Sequence, residues 1–106
     1  MRFGFIGDIV GKIGREGVKR YLQIAREEYH LDCVIANGEN ASHGFGLGIP
    51  AYEELKSYGV DIFTGGNHTW DKKDIFPLLA QKDSKVLRPH NYPKGVIGTG
   101  LYCGEI

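Results

Sequence analysis

Cysteine and long apolar segments are both scarce in this sequence. It contains two cysteines in 106 residues, Cys33 and Cys103, and neither stands in a closely spaced pair of the kind that binds zinc. Each lies in an apolar stretch typical of a strand, so we expect both to be reduced core residues. No apolar run reaches the roughly 18 residues that a membrane-spanning helix needs, so we expect a cytoplasmic protein that does not enter a membrane.

An excess of one charge is also missing. The sequence has 13 Lys and Arg against 13 Asp and Glu, and no basic run that would form a patch for nucleic acid. We therefore expect no stable nucleic-acid complex. With 42% hydrophobic and 25% charged residues, the composition is that of an ordinary globular domain, and the length suits one domain.

Apolar patterning predicts that short strands alternate with helices. Continuous apolar runs predict strands at residues 2–6, 33–36, 60–64 and 86–87. A helix is predicted over residues 14–29, where one stripe contains Val18, Tyr21, Leu22, Ala25 and Tyr29. A second helix is predicted from Pro50 to Gly59, because proline suits a first helical turn and glycine suits a helix end. We also expect Trp70 and the tyrosines at helical spacing to be core residues.

The last third of the chain has a weaker pattern. A short helix is predicted through Ile75 and Leu79, and either Thr69 or Asp71 could cap it. Residues 88–100 are rich in glycine and proline and predict a loop, and residues 101–106 predict the start of another strand. Because that strand would stop at the final residue, we expect residues 1–106 to be a single, apparently truncated domain.

Polar side chains follow three successive predicted strands, each accompanied by glycine. They are Asp8 after the first strand, Asn37, Glu39 and Asn40 after the second, and Asn67 and His68 after the third. Strands joined by helices are parallel, and their carboxyl ends meet at one edge of the sheet. Carboxylate, amide and imidazole groups that converge there predict an oxygen-rich metal site. With no thiolate in the set, Mn or Fe is favoured, and Mg or Zn is also compatible.

The same three blocks resemble those of calcineurin-like metallophosphoesterases. The closer similarity is to the YmdB-like branch, and it rests on residues 5–11 (FIGDIVG), 37–41 (NGENA) and 66–73 (GNHTWDKK). The resemblance implies an α/β fold, the N-terminal half of a four-layer αββα metallophosphoesterase sandwich with a mostly parallel sheet and covering helices. It also implies hydrolysis of small phosphodiesters such as 2′,3′-cyclic nucleotides.

The resemblance further implies a role for each block. Asp8 and Asn40 would bind one of two divalent or transition metal ions, Asn67 would bind the other, and Glu39 would bridge them. His68 would be the catalytic acid that protonates the leaving oxygen, or would otherwise stabilise that oxygen. A pair of metal ions generates hydroxide from a shared water and neutralises charge on the phosphate, which fits these roles.

Two departures from the family pattern bear on the metal site. The broad superfamily has Asp-x-His in its first block, whereas Val10 occupies the histidine position here, with Asn40 as its replacement in the closer branch. The family also supplies histidines from later segments, including a Gly-His-x-His-like block, which this sequence does not contain. We therefore expect the 106 residues alone to bind metal poorly.

Several alternatives stay open at this point. The chain could be a truncated, catalytically incomplete α/β binding or assembly module that self-associates as a homo-oligomer, or a different hydrolase that uses one metal. His43 could contact phosphate or be an exposed loop residue. Arg88 could pair with phosphate or with the protein itself.

Overall fold

The computed structural model of the protein describes residues 1–105, and its centre is a sheet of three parallel strands. The strands are β1 (Phe3–Ile6), β2 (Cys33–Asn37) and β3 (Ile62–Thr64), in the spatial order β1-β2-β3. The helices are α1 (Gly11–Tyr29), α2 (Ile49–Tyr58) and α3 (Phe76–Leu79), with a 3₁₀ turn at Lys73–Ile75 before α3. This confirms the predicted α/β class with a parallel sheet and covering helices.

The core lies on one face of the sheet. Val34, Ala36 and Phe63 point into it and are at most 1% exposed. Helix α2 contributes Leu55, which is fully buried, and Tyr52, whose ring centroid lies 5.2 Å from that of Phe63. The opposite face of the sheet carries Phe3 and Phe5, which are 58% and 67% exposed. Residues 1–105 thus form one sheet of the predicted sandwich, with helices on one side only.

Helix α1 begins at Gly11, three residues before the predicted start. Its buried residues are Val18 and Leu22, as predicted, but Tyr21 and Tyr29 are 62% and 56% exposed, so their assignment to the core is wrong. Tyr21 borders an apolar groove beside β1, the edge strand, and no other element among residues 1–105 covers it. The predicted stripe is therefore wider than the surface available to bury it.

Helix α2 matches its prediction closely. Pro50 stands in the first turn, and Gly59 ends the helix with a φ of 116°, donating its N–H to the carbonyls of Leu55 and Lys56. These residues are local signals, because proline fixes a helical φ and glycine tolerates a left-handed one. Trp70 is half-buried against the core.

The predictions after residue 80 are only partly confirmed. Val86 forms a single parallel bridge with Phe63 in place of a fourth strand. Residues 101–105 form no strand, and Cys103 is exposed, so both predictions are wrong; Ile106 lies outside the described residues. An apolar run becomes a strand only where a neighbour pairs with its backbone groups, and these residues pair with none of the described strands. Within residues 1–105, no helix is long and apolar enough to cross a membrane.

Candidate metal centre

Backbone hydrogen bonds tie together the loops that follow the three strands. The N–H of Ile9 donates to the carbonyl of Asn37 at 3.2 Å, and that of Gly11 donates to Asn40 at 3.0 Å. The N–H of Gly38 donates to Thr64 at 3.1 Å, which links the second strand end to the third. The predicted polar blocks therefore lie side by side on a shared backbone frame.

Asp8 and Asn40 form the first part of the site. The amide Nδ2 of Asn40 donates to both carboxylate oxygens of Asp8, at 3.1 and 2.9 Å. Its Oδ1 is buried and accepts no hydrogen bond from residues 1–105. A buried amide oxygen without a donor costs free energy unless something else satisfies it, and a cation is one such partner. The structure thus confirms that these two predicted ligands lie together, and it leaves one of them with an unused acceptor.

Glu39 connects the second strand end to the third. Its Oε2 accepts the backbone N–H of His68 at 3.2 Å, and its Oε1 lies 3.4 Å from the amide Nδ2 of Asn37. Asn37 also accepts the N–H of Glu39 through Oδ1, at 3.3 Å. Residue 66 must be glycine for this arrangement, because a Cβ at Gly66 would overlap the Glu39 carboxylate. Two independent contacts therefore orient the carboxylate.

Asn67 and His68, the two predicted residues of the third block, lie in different surroundings. Asn67 is exposed, and among residues 1–105 no hydrogen bond joins its side chain to the other predicted ligands. The imidazole Nδ1 of His68 lies 2.6 Å from the Oδ2 of Asp71, with the two side chains 40% and 34% exposed. The histidine predicted as the acid therefore has a carboxylate partner.

The predicted helix caps after β3 are wrong. The residue before the 3₁₀ turn is Lys72, and no side chain caps it. The buried hydroxyl of Thr69 donates to the carbonyl of Gly66 at 2.7 Å and accepts its N–H at 2.9 Å, while Asp71 pairs with His68. Both side chains therefore stabilise the turn that contains His68, and neither caps the helix that follows.

Arg15 supports the second block from α1, and sequence reasoning gave it no role. Its guanidinium donates to the carbonyl of Ala41 at 2.5 Å and to Glu54 of α2 at 3.2 Å, and the side chain is 13% exposed. Glu54 also accepts the hydroxyl of Tyr58 at 3.0 Å; partial burial and this hydrogen bond raise the pKa of Tyr58. These contacts fix the loop next to Asn40 against both helices.

Sequence reasoning also missed the pairing of Asp71 with His68, although their three-residue spacing was a signal for it. No comparable signal pointed to Arg15, which lies 26 residues from Ala41 along the chain.

The sequence left the roles of Arg88 and His43 open. In the structure neither belongs to this cluster, because Arg88 makes contacts within the protein and His43 is exposed. The guanidinium of Arg88 donates to the carbonyls of Gly98 and Pro89, at 3.1 and 2.8 Å, which favours pairing within the protein over phosphate binding. His43 is an exposed loop residue with a φ of 54°.

The donor set fits part of a metal site and not a complete one. Residues 1–105 contain no group of three His, Cys, Asp or Glu side chains that could hold a metal ion by themselves. The predicted ligands are instead two carboxylates, those of Asp8 and Glu39, together with amide side chains. Neither carboxylate has a Lys or Arg partner among those residues. Oxygen donors with unbalanced negative charge and an unsatisfied amide oxygen suit a hard or borderline divalent cation.

Comparison with known proteins shows relatives over nearly the whole chain. The profile of the YmdB-like protein family matches residues 5–106. The chain is 46% identical over 101 residues to the 2′,3′-cyclic-nucleotide 2′-phosphodiesterase of Bacillus subtilis (strain 168), covering 95% of the chain and 38% of that protein.

Two solved structures are also similar in fold and sequence. One is a hypothetical protein from Thermus thermophilus, with a TM-score of 0.90 and 43% identity, covering 100% of this chain and 40% of that one. The other is a novel phosphatase from Mycoplasma pneumoniae, with a TM-score of 0.82 and 39% identity, covering 92% and 36%. The chain therefore spans about two fifths of the length of the proteins that it resembles.

Proposed function

The chain belongs to the YmdB-like protein family, and from that premise we propose that it is the metal-binding part of a metal-dependent phosphodiesterase. The proposed substrates are small phosphodiesters such as 2′,3′-cyclic nucleotides, the class that the Bacillus subtilis relative is named for. Cytoplasmic location and the identity of the metal, Mn or Fe in preference to Mg or Zn, stay predictions.

The observation that carries the proposal is that contacts of the predicted ligands connect the loops after all three strands. Asp8 contacts Asn40 across the first two loops, and Glu39 contacts the backbone of His68 across the second and third. Residues 32 and 29 positions apart are thereby brought to one edge of the sheet, where α/β proteins bind ligands. A fold that needed these residues only for turns would not pair them across loops.

Each ligand has a proposed role. Asp8 and Asn40 would hold one metal ion, Asn67 the other, and Glu39 would bridge them, because its two oxygens can face two ions. Asn40 would turn its unsatisfied Oδ1 toward the metal, since the amide hydrogen bond to Asp8 is made by Nδ2. Bound metals supply Lewis acidity, which lowers the pKa of water and neutralises the phosphate charge.

The protein residues perform the remaining steps. Asn37 and the His68 backbone hold the Glu39 carboxylate in position. His68 donates a proton to the leaving alkoxide as the P–O bond breaks, a step that contributes about 10²–10⁴-fold in enzymes that use it. The chain covers 38% of the Bacillus subtilis relative, and the donors that it supplies make up part of a metal site.

The experiment compares Glu39→Gln with the matched control Glu28→Gln, an exposed glutamate of α1. Mn²⁺ binding is followed by electron paramagnetic resonance, and hydrolysis of bis(p-nitrophenyl) phosphate and a 2′,3′-cyclic nucleotide is followed in parallel. We expect Glu39→Gln to weaken Mn²⁺ binding at least about 10-fold and to abolish hydrolysis, because the bridging charge is lost. Equal Mn²⁺ affinity in the two variants would refute the metal role.

A second candidate, a catalytically incomplete assembly module, is favoured by the exposed apolar face of β1. Phe3 and Phe5 are 58% and 67% exposed, and β1 is an edge strand, which can pair with another chain. This alternative predicts concentration-dependent self-association without metal-dependent turnover. Sedimentation velocity over a range of concentrations, with and without Mn²⁺, separates the two: a monomer that hydrolyses phosphodiesters excludes it.

A further inference from the structure

The His68–Asp71 pair is the shortest polar contact of the third strand-end loop. The 2.6 Å between Nδ1 and Oδ2 is the separation of a strong, charge-assisted hydrogen bond. A carboxylate can only accept, so the proton of a neutral His68 ring must lie on Nδ1. Nε2 is then the nitrogen that exchanges protons with anything else.

Asp71 is itself held in place from two sides. Its backbone N–H donates to the carbonyl of His68 at 3.1 Å, which closes the turn between the two residues. The glycine-rich loop packs on the other side: a Cβ at Gly46 would lie 3.2 Å from the Asp71 Cβ and 2.7 Å from the Lys72 Cγ. Gly46 has a φ of 75°, so this close approach depends on a glycine. These contacts hold the backbone and Cβ of Asp71 next to His68.

We propose that Asp71 is a positioning residue that fixes the orientation of the His68 ring and keeps the proton of the neutral ring on Nδ1. The role in catalysis that follows rests on the proposed phosphodiesterase function. The carboxylate caps no helix, so pairing with His68 is the contact that accounts for its position.

In the reaction, the protonated His68 ring carries hydrogens on both nitrogens, and Asp71 binds the one on Nδ1. Water adds its oxygen to phosphorus, the ester P–O bond breaks, and the proton on Nε2 passes to the leaving alkoxide. The ring is left neutral, in the Nδ1–H form that Asp71 stabilises. The proton released by the attacking water restores the ring, so the cycle consumes one water per ester bond.

The alternative is that the pair is an exposed ion pair that only stabilises the turn, which we call a brace. Such pairs contribute little to stability. The two roles differ in measurable ways. A brace would affect every substrate equally, whereas a residue that positions an acid matters most when the leaving group is a poor one.

The first test measures the tautomer of the His68 ring directly in the ¹⁵N-labelled chain by long-range ¹H–¹⁵N NMR, whose shifts also distinguish a neutral ring from a protonated one. We expect the Nδ1–H form of His68 in the wild type and in Asp74→Asn, an acidic neighbour whose carboxylate accepts the N–H of Ile49 instead. Asp71→Ala should shift His68 toward the Nε2–H form that free histidine prefers. Asp71→Asn keeps the shape of the side chain and guards against misfolding; it should give an intermediate result, because Asn can still accept. An Nε2–H ring in the wild type, or an unchanged ring in Asp71→Ala, would overturn the proposal.

The second test measures turnover of the Mn²⁺-loaded protein on two substrates. A 2′,3′-cyclic nucleotide leaves as an alkoxide and needs the proton, whereas bis(p-nitrophenyl) phosphate leaves as a stable phenolate. For Asp71→Ala we expect kcat to fall about 10- to 100-fold on the cyclic nucleotide, with KM changed by less than about twofold. On the nitrophenyl ester kcat should fall less than about threefold. Equal losses on both substrates would overturn the positioning role.

The two tests also separate this proposal from the proposed function. If Mn²⁺ binds the wild type but neither substrate is hydrolysed, and the Nδ1–H ring is present and is lost in Asp71→Ala, the phosphodiesterase assignment fails for these residues and the positioning of His68 by Asp71 stands. If the wild type is active and the ring state does not depend on Asp71, the assignment stands and the positioning proposal fails.

Discussion

Replacing Gly66 by alanine tests how closely the third strand-end loop fits the Glu39 carboxylate. The added methyl group would overlap both carboxylate oxygens, which are the far end of a flexible side chain. Glu39 can turn aside only by giving up the N–H of His68, which lies 3.2 Å from one oxygen, and the amide of Asn37, which lies 3.4 Å from the other. The variant must therefore displace either the carboxylate or the loop.

The expected cost follows from the contact that is lost. A hydrogen bond to a charged group contributes about 1.5–3 kcal/mol, which we assign to the His68 N–H alone, because the 3.4 Å contact from Asn37 is the longer and weaker of the two. Alanine returns about 0.4–1 kcal/mol by restricting the unfolded chain. The free energy of unfolding should fall by about 1–2 kcal/mol, or about 4–16 °C in Tm for a domain of this size.

Urea unfolding followed by circular dichroism measures this cost, and electron paramagnetic resonance measures Mn²⁺ affinity, which should fall because the carboxylate moves. Gly17→Ala is the matched control, since Gly17 lies within α1 and a Cβ there meets no atom within 4 Å. In a helix interior that change should stabilise the chain by about 0.5–1 kcal/mol. A glycine-to-alanine substitution is therefore expected to lower the free energy of unfolding at residue 66 and to raise it at residue 17.

A double variant decides whether Glu39 is the cause. In the Glu39→Ala background the methyl group of Gly66→Ala has no carboxylate to meet, so the two substitutions should be strongly non-additive. We expect Gly66→Ala to cost less than about 0.5 kcal/mol there. An equal cost in both backgrounds would refute the steric argument and point to the loop backbone instead.

Three further predictions follow from the same structure. Asn40→Asp puts a second carboxylate against Asp8, so we expect Tm to fall without metal and to recover in part with Mn²⁺, as measured by thermal melts at matched ionic strength. Phe63→Ala, at a side chain only 1% exposed, should cost about 3–5 kcal/mol in urea unfolding. Burial raises the pKa of the Cys33 thiol, so Ellman's reagent should label only exposed Cys103 quickly at neutral pH and reach Cys33 once urea unfolds the chain.

Each of these predictions has its own control and contrary outcome. Asn91→Asp makes the same chemical change at an exposed position in the loop of residues 88–100, and an equal Mn²⁺ response there would contradict the account of residue 40. Phe5→Ala removes the same ring from a position that is 67% exposed and should change stability by less than about 1 kcal/mol. Rapid labelling of both thiols in the native state would contradict the buried position of Cys33.

The sequence alone predicts the order of strands and helices and the places where polar groups follow strands. These features are local: apolar runs, the proline at residue 50, the glycine at residue 59, and the blocks that contain Asp8, Glu39 and His68. A local pattern cannot tell how much surface is available to cover it. Tyr21 therefore shares the predicted stripe of α1 and yet is exposed beside the edge strand, and Cys103 lies in an apolar run that pairs with nothing among residues 1–105.

Only the tertiary structure decided which polar groups meet. The bond from the His68 backbone to Glu39 spans 29 residues, and Arg15 reaches Ala41 across 26 and Glu54 across 39. No periodicity in sequence encodes contacts of this kind, because they depend on how the parallel strands bring their loops to one edge. The partner of a side chain is also decided there: aspartate is a residue type that favours helix caps, but the carboxylate of Asp71 lies 2.6 Å from the imidazole of His68 instead.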